Sequence, residues 1–150
     1  MSGHFNRKGI DRIIDANLNR TQEGLRVCEE IARFILNSRA LTSELKNARH
    51  KVGLIARNKS AFLDIIRQRK SLKDPGKEIY GNELRRKDYR DIFFANIQRV
   101  KESIRVLEEF SKLRDTASAI GFKRIRYRIY EIEKKITQRL RHDTAGIRQS

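Results

Sequence analysis

Apolar residues return every three or four positions through most of this chain, the period of an amphipathic helix rather than of a strand. The pattern predicts five helices: Ile10 to Leu36, Arg39 to Arg57, a short one over Ala61 to Arg69, Tyr89 to Leu113 and Ala117 to Arg141. Ser38, Ser60 and Asp88 stand where a side-chain oxygen would cap the second, third and fourth, and the fifth begins after Thr116. Lys70 to Lys87 lacks the helical period. It holds Asp74-Pro75-Gly76-Lys77 and Gly81-Asn82, both turn signals. The expected fold is an all-α antiparallel bundle in one domain spanning residues 1–150.

The chain repeats itself. Ile13 to Glu30 aligns with Ile92 to Glu109 at an offset of 79, and nine of those 18 positions are identical. Average residue usage would give about one by chance. The shared string is Ala-Asn-x-x-Arg-x-x-Glu-x-x-Arg-Val-x-Glu-Glu. A second match follows each copy: Lys46-x-x-Arg49-His50 against Lys123-x-x-Arg126-Tyr127. The repeating unit is thus a long helical hairpin, about 10–57 and again about 88–141, with a short helix and loop over 58–87 between them. Two copies predict a pseudo-twofold bundle.

A helical wheel at about 100° per residue puts Ile14, Leu18, Leu25, Cys28, Ala32 and Ile35 on one apolar arc, extended by Val27, Ile31 and Phe34. Asn17, Arg20 and Gly24 fall inside that arc, as do Asn96, Arg99 and Ser103 in the second copy. Two buried arginines would each demand an anion. Glu23 lies three residues from both Arg20 and Arg26, near enough to pair. Two readings stay open at this point. A matched Asn-Arg-Glu network can simply fix the helix crossing, or it can bind an external anion, since guanidinium groups grip phosphate bidentately. Asp74-Pro75-Gly76-Lys77 is first a turn, and second a carboxylate and an ammonium that could close over a phosphate.

Composition narrows the partners. Lys and Arg number 35 against 19 Asp and Glu, a formal charge of +16, which suits nucleic acid or phosphorylated metabolites. Basic residues crowd the fifth helix around Tyr127 and Tyr130, where a solvated face with aromatic anchors in the core is the commoner arrangement. They form no uninterrupted patch, so nucleic acid ranks last among the partners. No apolar run is long enough to span a membrane, and Met1 to Lys8 has no apolar leader, so the expected location is the cytoplasm, with no membrane partner. Cys28 lies in an apolar stripe as a core residue, no His/Cys cluster has zinc spacing, and no metal site is expected. Neither a P-loop nor a protein-kinase glycine loop occurs.

The strings Arg12-Ile-Ile-Asp-Ala-Asn-Leu-Asn-Arg20, Glu23-Gly-Leu-Arg-Val27 and Ala95-Asn-x-x-Arg-x-x-Glu-x-x-Arg-Val-Leu-Glu-Glu-Phe110 resemble the helical domain at the N-terminus of some bacterial thiamine phosphate synthases. The likeness runs from Arg12 to about Lys134. It implies ATP- and Mg²⁺-dependent phosphorylation of hydroxymethylpyrimidine phosphate to the diphosphate, by a kinase unrelated to the ribokinase-like enzyme of that step. On this reading Asn17, Arg20, Arg26, Arg49, His50, Lys77, Asn96, Arg99, Arg105 and Arg126 are the candidate binding residues. Glu23, Glu102 and Asp74 are the candidate catalytic carboxylates. The alternative is a non-catalytic domain that partners a thiamine phosphate synthase; self-association is left open. One half is expected to bind ligand and the other to support it, because Gly24 is matched by Ser103 and His50 by Tyr127.

Overall fold

The computed structural model describes residues 6–57, 71–77 and 84–147. Four long helices carry the fold: α1 (Arg7–Glu30), α2 (Arg39–Arg57), α3 (Tyr89–Ser111) and α4 (Thr116–Ile147). The third expected helix, Ala61 to Arg69 with its Ser60 cap, lies outside the described residues, as does Gly81-Asn82. Of the expected long loop, Ser71–Lys73 and Pro75–Lys77 form short 3₁₀ turns.

Local chemistry sets the helix starts. The Asn6 side chain accepts from Gly9 N, so α1 begins three residues earlier than its apolar period does. Ser38 accepts from Leu41 N and Asp88 from Arg90 N, both in the predicted capping role. Asp115 caps α4 through the backbone N–H groups of Ala117 and Ser118.

Both hairpins are closed differently. α1 passes into a π-helical turn, Ile31–Ile35, and Asn37 then takes φ 50, a left-handed conformation that Asn tolerates. The cause is visible in the repeat. The offset drops from 79 before the turn to 77 after it, so the first hairpin holds two more residues than the second. The wider π turn and the left-handed residue absorb them.

Contacts fix the winding. Thr21 meets Ser103, Gly24 faces Val100 and Asp11 pairs with Arg114, so α1 and α3 run antiparallel. Glu29 with Arg49 and Glu108 with Arg126 make each hairpin antiparallel, and Glu44 with Lys135 does the same for α2 and α4. The order around the bundle is therefore α1, α2, α4, α3, each helix antiparallel to both its neighbours. Leu25, Leu45, Phe93, Ile104, Leu107, Ile129 and Ile136, all fully buried, draw one core from all four helices.

The buried arc of α1 is not centred where the sequence suggests. Arg20 and Arg99 are exposed, not buried. Phe34 and Ile35, both expected on the apolar arc, are 63% and 44% exposed in the π turn, which shortens the arc, while Val27 and Ile31 stay packed on the core. The buried side instead takes in Asp11, Asp15 and Glu29. These carboxylates cover the flank toward neighbouring helices, where Arg114 and Arg49 meet Asp11 and Glu29. Tyr127 and Tyr130 are likewise exposed rather than core anchors. Cys28 is fully buried, as expected, and burial pushes its thiol up to about 12.

Candidate functional site

The repeat builds the same polar device twice. In the first hairpin Arg49 of α2 donates to the buried Glu29 of α1 at 2.9 Å, while Arg26 reaches Glu29 at 3.3 Å and Glu30 at 3.2 Å. In the second, Arg126 of α4 donates to the buried Glu108 of α3 at 2.7 Å, while Arg105 reaches Glu108 at 3.5 Å and Glu109 at 3.2 Å. Each glutamate is desolvated and needs cations, which is why Arg26 and Arg105 turn to it and not to Glu23 and Glu102. Glu29 and Glu108 are identities of the repeat that the sequence reading left out of the candidate set. Their signal was present: a doubled glutamate matched by a doubled arginine on the following helix.

Above these pairs the halves differ. Beside Arg49 lies a recess of about 280 Å³ between α1 and α2, lined by Gln22, Arg49, His50, Gly53, Leu54 and Arg57. It holds two guanidinium groups and an imidazole, and no carboxylate lines it. Gly53 keeps it open: a Cβ there would lie 3.1 Å from the Gln22 side-chain nitrogen. The matched position in the second hairpin is Tyr130, and that of His50 is Tyr127. The Tyr130 hydroxyl accepts from Arg126 at 3.1 Å, and both rings lie within 6 Å of its guanidinium carbon, Tyr127 at 5.0 Å and Tyr130 at 5.7 Å. Hydrogen bonds to Glu108 first, and then to Tyr130, push the Arg126 guanidinium above its ordinary range. Its side chain is 10% exposed, against 23% for Arg49. One arginine is therefore sealed and its twin is open.

Of the sequence candidates, this recess gathers only Arg49 and His50. Asn17 and Asn96 each donate back to their own helix, to the Ile13 and Ile92 carbonyls at 2.8 Å. Arg20 reaches Asn17 at 3.5 Å from the exposed face, and Arg99 is also exposed. Glu23 is exposed, and Glu102 accepts from Gln98 at 3.1 Å. Asp74 accepts from Gly76 N at 2.8 Å and so serves its own turn, with Lys77 exposed beside it. Among the described residues no group of three His, Cys, Asp or Glu is placed to hold a metal, and no helix is long and apolar enough to cross a membrane.

The ThiD2 family model matches residues 12–135, most of both hairpins. The chain belongs to the ThiD2 family. Its relatives include the thiamine-phosphate synthase of Synechocystis sp., 41% identical over 137 residues, covering 87% of this chain and 38% of that protein. The thiamine-phosphate synthase of Nostoc punctiforme is 38% identical over 89% of this chain and 37% of its own length. That of Rhodopirellula baltica is 38% identical over 83% of this chain and 34% of its own. The chain thus spans little more than a third of the relatives it matches. No solved structure matches it.

Proposed function

We propose that this chain serves thiamine biosynthesis as a helical domain that acts with a thiamine phosphate synthase, and that its first-hairpin recess holds the phosphate of a phosphorylated pyrimidine. The kinship supports the first part: every relative named above is a thiamine-phosphate synthase, and the family match covers both hairpins. One observation carries the second. Arg49, Arg57 and His50 surround a cavity that Gly53 keeps open, while the equivalent place in the other half is filled by Tyr130. A phosphate gripped by charged donors gains about 1.5–3 kcal/mol per bond.

The family resemblance adds a reaction to that site, phosphorylation of hydroxymethylpyrimidine phosphate. An oxygen of the bound phosphate would form the new P–O bond to the γ-phosphorus of ATP as the β–γ bridge breaks and ADP leaves. Such transfer needs charge neutralisation and positioning more than covalent chemistry. Arg49 and Arg57 would supply the charge, and Glu29 would hold Arg49 in place. Mg²⁺ is usually held by one or two carboxylates besides phosphates and water, and no carboxylate lines this recess, so its residues do not themselves hold the ion.

Two measurements on the purified chain separate the readings. Diphosphate product from ATP and hydroxymethylpyrimidine phosphate establishes the kinase. Capture of a thiamine phosphate synthase without turnover leaves the partner domain. Neither product nor capture, with a synthase of known activity as control, rejects the proposal.

A further inference from the structure

A surface groove of about 400 Å³ lies between the last turns of α2 and the first half of α4. Leu54, Ile55 and Ile125 form its apolar walls, and the exposed Lys51, Arg124 and Arg128 surround it. Leu54 is 56% exposed. No carboxylate lines the groove, and among the described residues none of the three cations forms an ion pair. The repeat shows that this character does not come from the symmetry. At the matched offset of 77, the other half of the α2–α4 face carries Glu44 for Gly121, Asn47 for Arg124 and Glu131 for Leu54. There Glu44 pairs with Lys135 at 2.8 Å. One half of the face thus holds carboxylates and an internal ion pair. The other is apolar, ringed by one sign of charge and unmatched, and apolar surface with a polar rim marks an interaction site.

We propose that this groove docks an acidic amphipathic helix of a partner protein. Its apolar side chains would rest on Leu54, Ile55 and Ile125, and its carboxylates would meet Lys51, Arg124 and Arg128. The shape fits that occupant. Along α4 the groove runs from Gly121 to Arg128, about two helical turns. A third helix lays its side-chain ridge between two such neighbours and seats apolar residues spaced three or four apart. Gly121 keeps the groove shallow-walled there, since a Cβ would come within 2.8 Å of the Ile55 methyl and push outward. The chemistry also selects it. The lining is aliphatic and holds no aromatic face on which single-stranded nucleic acid would stack. Opposite charge would set the partner's orientation and speed its approach, while the apolar walls hold it. Neither the phosphate recess nor any reaction enters this assignment, which goes beyond the proposed function.

Fluorescence anisotropy of the full chain with labelled helical peptides of about four turns tests it. One peptide carries leucine at helical spacing with flanking glutamates. A second has glutamine for each glutamate, and a third has serine for each leucine. The first should bind about 10-fold or more tighter than either of the others, and its margin over the glutamine peptide should shrink as salt rises. Arg124→Glu with Arg128→Glu should reverse the preference, losing the glutamate peptide and gaining a lysine counterpart. Both residues are exposed, so the fold should survive. Leu54→Glu with Arg124→Asn, which copies the residues across the axis, should weaken the glutamate peptide about 10-fold or more. Serine and leucine peptides of equal affinity would mean charge attraction alone and overturn the groove. So would peptide binding that ignores both double variants, or no binding. A single-stranded oligonucleotide that binds tighter than the glutamate peptide, and is lost with Arg124 and Arg128, overturns the protein partner in favour of nucleic acid.

Discussion

The hydroxyls of Thr21 and Ser103 sit 2.7 Å apart in the buried crossing of α1 and α3, and the repeat turns that polar pair into an apolar one on the other side of the axis. Thr21 is matched by Val100, and Ser103 by Gly24. The second contact is accordingly Gly24 against Val100, where a Cβ on Gly24 would lie 2.7 Å from the valine methyl and 3.1 Å from the Asn96 carbonyl oxygen. Gly24→Ala should therefore destabilise by about 1–3 kcal/mol, the usual cost of overpacking. Adding Val100→Ala should recover part of that loss, so the double variant melts above the additive expectation in urea.

The twin arginines should answer differently to truncation. Arg126→Ala removes the sealed partner of Glu108 and should cost about 3 kcal/mol, as breaking a buried pair does. Arg49→Ala should cost less, because its side chain is more open and Arg26 still reaches Glu29. Melts repeated with inorganic phosphate should show stabilisation of the parent and the Arg126 variant, and none for the Arg49 variant.

Opening the sealed half is the complementary experiment. Tyr130→Gly with Tyr127→His copies two residues of the first recess, Gly53 and His50, onto the second. The doubly substituted protein should take up an additional equivalent of phosphate ligand, read as a change of stoichiometry in calorimetry. Unchanged stoichiometry would mean that the aromatic rings are not what closes that half.

The exposed arginines of the repeat offer a contrast. Arg20→Ala and Arg99→Ala should each change stability by no more than about 0.5 kcal/mol, the range of ordinary surface substitutions. Denaturant melts of both would show it.

Cys28 gives a pH dependence. Its folded thiol stays neutral up to about 12, against an ordinary value of 9.0, because burial, and then Glu133, disfavours the thiolate. The unfolded chain therefore loses this proton first as pH rises. The stabilisation is whole below pH 9.0 and is lost progressively toward about 12. Thiol-labelling reagent at about pH 8 should react with Cys28 only at the rate of global opening, and much faster in urea.

The helical period, the Ser38 and Asp88 caps and the doubled hairpin were all legible in the sequence, because each depends on local spacing. Where the arc of α1 points was not. Phe34 reads as core until the two extra residues of the first hairpin are seen to turn the helix end outward. Arg20 reads as inside the apolar stripe of α1 and Glu23 as bordering it, whereas the buried charges of α1 are Asp11, Asp15 and Glu29. A carboxylate reads as surface unless its cation is known, and that cation lies 20 residues away for Glu29 and 103 for Asp11. The open recess depended on Gly53, which no helical pattern distinguishes from a weak helix position.

The twofold relation between the hairpins has a historical side. A lone hairpin would leave its apolar face in water, and the surface that covers it here is a second hairpin of the same sequence type. The simplest antecedent is a half-length chain that folded only as a homodimer, with an isologous interface and two identical recesses. Fusion into one chain freed each copy to drift. Tyr127 and Tyr130 record one outcome: where the first hairpin keeps a recess, the second has aromatic rings set against Arg126.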